Sequence, residues 1–79
     1  MPTIRIAGYK VQFYSSDGPE RPHVHVFRGG DEAKVWLRPV VVAWSYGYGA
    51  AELNRIVKLV RWHQSELLEA WDAYFDGSR

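Results

Sequence analysis

The hydrophobic pattern of this chain changes period once, and that change sets the fold class. From Thr3 to Ser45 apolar residues recur at every second position, the spacing of strands with one buried face. From about Ala50 to Phe75 they recur at i, i+3 and i+4, the spacing of an amphipathic helix. Strand segments read at Thr3–Ile6, Tyr9–Tyr14, Arg21–Arg28, Glu32–Arg38 and Val40–Ser45, the last an edge-type strand. Between them stand Ala7-Gly8, Ser15-Ser16-Asp17-Gly18-Pro19, Gly29-Gly30-Asp31 and Pro39, all turn or loop signals. Connections this short join antiparallel neighbours. In unbroken register, Val11, Phe13, Val24, Val26, Ala33, Val35 and Leu37 share one face. Gln12, Tyr14, His23, His25, Phe27, Lys34 and Trp36 share the other, a polar and aromatic surface open to solvent, substrate or partner. A single bulge would reverse part of this. The expected fold is α+β: an antiparallel four- to five-stranded meander within residues 3–46, with one long C-terminal helix over about 50–75 packed on its apolar face.

Seventy-nine residues leave room for one domain, 1–79, and one core. With no cysteine the chain has neither disulfides nor thiolate metal ligands, so the 47% of hydrophobic residues must hold it together. A net charge of +1 gives no global basic bias toward nucleic acid. No run approaches the roughly 18 apolar residues of a membrane span, and no leader is read at the start. A cytoplasmic protein is expected.

The helix carries Leu53, Ile56, Val57, Val60, Leu67, Trp71 and Tyr74 on one stripe, about 39 Å long at ~1.5 Å per residue. Gly49 is its expected N-cap, with Glu52 at the third position, Tyr48 stapling against Leu53, and Gly77 as the stop. Its first half holds Arg55, Lys58 and Arg61, with Glu52 beside Arg55 as an ion pair. Its second half holds Glu66, Glu69, Asp72 and Asp76. Apart from Glu52, this opposes the macrodipole of one continuous helix. It reads either as a solvated face or as a bipolar ridge for a partner of reverse polarity.

Chemistry is concentrated in Arg21-Pro22-His23-Val24-His25-Val26-Phe27-Arg28. On a strand, His23 and His25 rise from one face about 7 Å apart. As an acid–base pair they suit ribose 2′-hydroxyl chemistry, which makes them the catalytic candidates. Arg21, Arg28, Lys34 or Arg38 would hold a phosphate, and Tyr14, Phe27 and Trp36 would stack on bases. A divalent metal would need a third ligand, and His63 falls on the opposite side of the sheet. Asp17 or Glu20 in the preceding loop has the reach to supply one, but no cofactor is expected from two ligands alone. The bland alternative is that both imidazoles bond locally or pack on aromatic neighbours, and His63 is expected to find a backbone or carboxylate partner. No phosphate loop precedes the helix, and no serine has a base beside it.

Val40, Val41, Val42 and Trp44 form an edge without charge, which invites pairing with another protein chain or with a second copy of this one. The Trp44-Ser45-Tyr46-Gly47-Tyr48-Gly49 run reads as the turn into the helix or as an aromatic interface patch. Trp44, Arg55, Lys58 and Arg61 are therefore the partner-binding candidates.

Met1-Pro2-Thr3-Ile4, Pro22-His23-Val24-His25-Val26, Glu32-Ala33-Lys34-Val35-Trp36-Leu37, Tyr46-Gly47-Tyr48, Glu52-Leu53 and His63-Gln64-Ser65-Glu66-Leu67-Leu68-Glu69-Ala70-Trp71 follow in that order. Together they resemble the small prokaryotic family called domain of unknown function 4160, over almost the whole chain. Some relatives carry a histidine after the loop aspartate, where this chain has Gly18. Members often lie beside a small protein of the family called domain of unknown function 2442, and the pair is proposed to be a toxin and antitoxin. The resemblance implies a toxin component with a small antitoxin-like protein partner; action on RNA or translation through the histidine-bearing face is the reading of the residues themselves. The alternative is a non-catalytic adaptor that binds another protein through its edge strand and helix.

Overall fold

The structure, a computed structural model, describes residues 3–14 and 17–75. The expected features at Met1-Pro2, Ser15-Ser16, Asp76 and Gly77 lie outside those residues. The sheet has five strands: β1 (Thr3–Ile6), β2 (Tyr9–Gln12), β3 (His23–Arg28), β4 (Asp31–Leu37) and β5 (Val40–Tyr46). They lie in chain order, each antiparallel to the next, so the meander takes its five-stranded form.

Two-residue turns set the register. Ala7 and Gly8 have φ of +50° and +86° and bring Ile6 opposite Tyr9. Positive φ at both positions is the geometry whose twist matches paired strands, and Gly8 adopts it without the Cβ penalty that Ala7 carries. Gly29-Gly30 sets Arg28 opposite Asp31, so Asp31 opens β4 instead of completing the turn. Arg38-Pro39, joined by a cis peptide bond, brings Leu37 opposite Val40.

The expected apolar face holds. Val11, Phe13, Val24, Val26, Ala33, Val35 and Leu37 are all buried. In β5 the alternation breaks: Val35 faces Val42 but Lys34 faces Trp44, leaving Ala43 as the extra residue of a bulge. Val40 points into the core, whereas the bulge carries Trp44 across to the histidine side.

The single long helix is corrected to two, α1 (Ala50–Trp62) and α2 (Gln64–Phe75). The break is built at His63. Its main-chain N–H donates to the Leu59 and Val60 carbonyls at 3.1 and 3.2 Å, and its ring Nδ1 donates to Leu59 at 2.9 Å. Its own carbonyl accepts from Leu67 at 3.0 Å, which starts α2. Gln64 Nε2 donates to the Leu37 carbonyl at 2.6 Å and ties that start to the end of β4. Two helices also change the electrostatics: Arg61 now lies in the last turn of α1 and Glu66 in the first turn of α2, both favoured by the dipole.

Gly49 is the N-cap of α1, in an extended conformation, and its carbonyl accepts from Leu53 at 3.0 Å. Glu52 makes its ion pair with Arg28 at 2.8 Å and also accepts from the Tyr9 hydroxyl, so it ties α1 to the sheet. Ile56, Val60, Leu67 and Trp71 are the buried helix residues and complete the core, each burial contributing roughly 1.5–3 kcal/mol. No described helix is long and apolar enough to cross a membrane.

Candidate functional site

The face opposite α1 is organised around β3, and Trp71 of α2 reaches its His23 end. His23 pairs with Trp36, His25 with both Gln12 and Lys34, and Phe27 with both Lys10 and Glu32. Alternation thus gathers His23, His25, Phe27, Lys34 and Trp36 as the sequence implies, and the bulge adds Trp44. The expected open exposure of the histidines is corrected: His23 is 0% and His25 7% accessible. Neighbouring rings close over them. Trp36 and Trp71 flank His23 at 5.4 and 5.2 Å between ring centres. Tyr14, Trp44 and Phe27 surround His25 at 4.8, 6.1 and 6.3 Å.

The loop between β2 and β3 supplies a carboxylate beneath these rings. Asp17 folds back on Tyr14: the Tyr14 N–H donates to Asp17 Oδ2 at 2.8 Å, and the Asp17 N–H donates to the Tyr14 carbonyl at 3.0 Å. That turn brings the same Oδ2 to 3.3 Å from His23 Nε2 and 3.5 Å from His25 Nε2. Each ring is oriented from its far side. His23 Nδ1 donates to the Arg21 carbonyl at 2.8 Å, and His25 Nδ1 to Glu32 Oε2 at 3.2 Å. Among the described residues neither Nε2 has a hydrogen-bond partner, despite the nearby carboxylate, because the contacts lack hydrogen-bonding geometry.

The rim is cationic and aromatic. The Arg21 guanidinium lies 4.2 Å from the Trp36 ring centre and Lys34 Nζ 4.6 Å from it. Lys34 also pairs with Glu20 at 2.6 Å and holds that carboxyl below the usual carboxylate range. Lys10 lies 5.8 Å from the Phe27 ring. Beside it a depression of about 370 Å³ is lined by Arg5, Lys10, Gln12, Tyr14 and Phe27. Arg5 and Lys10 stand directly opposite each other across β1 and β2.

The other candidates lie apart. Arg28 also borders the depression, but its guanidinium donates to Tyr9 at 3.1 Å and Glu52 at 2.8 Å. It is an anchor of α1. Arg55, Lys58 and Arg61 are exposed on α1, in the layer behind the sheet. Trp44, read as part of a partner-binding edge, covers His25 as well. His63 bonds the backbone, as expected for a structural histidine.

Sequence reasoning missed Glu32 and left Asp17 only as a reachable residue. Glu32 was within reach of the register: the Gly29-Gly30 turn sets Lys34 opposite His25, which makes Glu32 the diagonal neighbour of that ring. For Asp17 no comparable periodicity exists, because a loop's return path is not encoded by alternation.

The family model described as Domain of unknown function (DUF4160) matches residues 8–72, and the chain belongs to that family. No curated protein and no solved structure gives a significant match.

Proposed function

We propose that this member of the family uses the outer rim of its open sheet face to bind single-stranded RNA. In this reading the chain is the toxin-like component of a two-gene module, acts on RNA or translation through that face, and is neutralised by a small protein partner. The module rests on the sequence resemblance described above. The RNA surface rests on one observation: Arg5 and Lys10 are direct cross-strand neighbours of like charge, next to Phe27 and Tyr14. Like charges facing each other weaken a sheet, so an anion bridging them offsets a cost that the free protein bears. Aromatic rings beside two cations suit a nucleotide, with the phosphate on the cations and the base on a ring. General acid–base catalysis by His23 is set aside, since a ring with 0% exposure has no surface to offer a substrate.

Fluorescence anisotropy with short single-stranded RNA tests the reading. Binding is expected to weaken with salt, and to be lost in Arg5→Glu/Lys10→Glu but kept in Arg55→Glu/Lys58→Glu. A wild-type chain that leaves RNA free at low salt would end this proposal.

A second reading has its own observation. β5 is an outer strand with Val41, Trp44 and Tyr46 49%, 44% and 73% exposed, and it carries no charge. We also infer that this edge receives a strand from the small protein partner. Val41→Lys/Tyr46→Lys should abolish that pairing; unchanged partner affinity would remove it.

A further inference from the structure

We propose that Asp17, His23 and His25 form a binding site for one divalent cation of the zinc type. Three donors from two separate segments converge here, with Asp17 8%, His23 0% and His25 7% accessible. The Nδ1 partners decide which way each ring presents its lone pair. The Arg21 carbonyl and the Glu32 carboxylate both accept, so in the neutral rings the proton sits on Nδ1. Both Nε2 lone pairs are then left beside the Asp17 carboxylate, at 3.3 and 3.5 Å, with no donor among the three atoms.

A cation among the three satisfies all of them at once. Ligands about 2.0–2.1 Å from a tetrahedral zinc lie about 3.3 Å from one another. The two histidine-to-Asp17 separations are 3.3 and 3.5 Å, and no pair of ligand atoms exceeds 4.8 Å.

The surroundings have the character of a metal site's outer shell. Glu32 behind His25 makes the carboxylate–histidine pairing that raises ligand basicity, and the Arg21 carbonyl does the same for His23. Charge also balances: two units on the cation against Asp17 and Glu32. Two imidazoles and a carboxylate, with no thiolate, favour zinc over calcium or magnesium, which take oxygen ligands. Three protein ligands leave the fourth tetrahedral position to a water, and with all three ligands buried the ion's effect falls on the fold. The ion would fasten the β2–β3 loop to β3 and hold the floor of the aromatic face.

The test uses the untagged full chain stripped with a chelator, then titrated with Zn(II) against a chromophoric competitor and followed by histidine nitrogen NMR. One ion per chain is expected, with the Nε2 signals of His23 and His25 shifting and those of His63 unmoved. Asp17→Asn and His25→Gln should each weaken binding at least tenfold, Glu32→Gln by about 10- to 100-fold, and His63→Ala not at all. Tetrahedral Co(II) absorption should appear in the wild type. A folded wild-type chain that takes up no Zn(II), or whose His23 and His25 signals stay put while metal binds, overturns the site. That readout needs no variant, so it decides the matter even if a substitution unfolds the protein. RNA binding by the rim can fail or succeed without changing it.

Discussion

The Tyr48 hydroxyl donates to the Val26 carbonyl at 3.1 Å, with the Asp31 carbonyl at 3.4 Å as a second acceptor. One side chain from the turn before α1 is thereby fixed to β3 and to the start of β4. Burial, with the negative groups around it, pushes this hydroxyl's pKa up to about 12. The raised value gives the sign: the bond's pH-linked contribution is complete below the free tyrosine value of about 10 and is lost as pH rises toward 12. Tyr48→Phe should cost about 1 kcal/mol at neutral pH and flatten the loss of stability between pH 10 and 12. Some alkaline sensitivity should remain, because burial and Glu52 also raise Tyr9. Urea denaturation at several pH values checks both; an unchanged alkaline slope in Tyr48→Phe would remove Tyr48 from the account.

Ala7 sits at φ +50° in the turn between β1 and β2, where an L-residue with a Cβ is strained. Asparagine tolerates that region and precedes glycine in the favoured two-residue hairpin. Ala7→Asn should therefore stabilise the protein by roughly 0.5–1 kcal/mol, while Ala7→Val should destabilise it. Equal urea midpoints for the three chains would mean that the turn relaxes in solution.

Charge order along the helices offers a sharper check of the break at His63. In one continuous helix, Arg61 and Glu66 would be mid-helix charges with little dipole energy. At the end of α1 and the start of α2 they are each worth about 0.3–1 kcal/mol. Arg61→Glu and Glu66→Lys should each destabilise by that amount, and more at low salt. Neutral effects of both reversals would argue for an unbroken dipole.

These cases show what alternation and spacing can disclose. The meander and its buried face were legible because Val11, Val24, Val26 and Val35 repeat with period two, between turns that permit only short connections. The helix break left a trace in the charges, since a run of bases ending at Arg61 and a run of acids starting at Glu66 fit two dipoles better than one. It was overlooked because the apolar stripe from Val60 to Leu67 crosses His63 without losing phase. The bulge at Ala43 leaves no mark in composition, so Trp44 moved to the histidine face unforeseen. The depth of His23 was hidden for another reason: it comes from Trp71, distant in sequence, and from the irregular Asp17 loop, and not from its own strand.

Arg5 and Lys10 set stability against binding. Arg5→Glu replaces a like-charge cross-strand pair with an opposite one and should stabilise the free chain by about 0.2–1 kcal/mol. The same change should weaken RNA binding, most strongly at low salt. A variant that lost stability would show that Arg5 and Lys10 do not repel in the folded sheet, and the argument for an anion between them would fall.

Induced expression of the chain alone joins the molecular readings to a cellular outcome. Growth arrest is expected from the wild type and from Val41→Lys/Tyr46→Lys, since the β5 edge is assigned to the neutralising partner and not to the target. Arg5→Glu/Lys10→Glu, at equal soluble level, should permit growth. Co-expression of the partner should rescue the wild type but not the edge variant, because only the latter lacks the strand that the partner would pair with. Arrest that persists in Arg5→Glu/Lys10→Glu and disappears in the edge variant would reverse the assignment. The toxic contact would then be a protein docked on β5, and the basic rim would have no part in it.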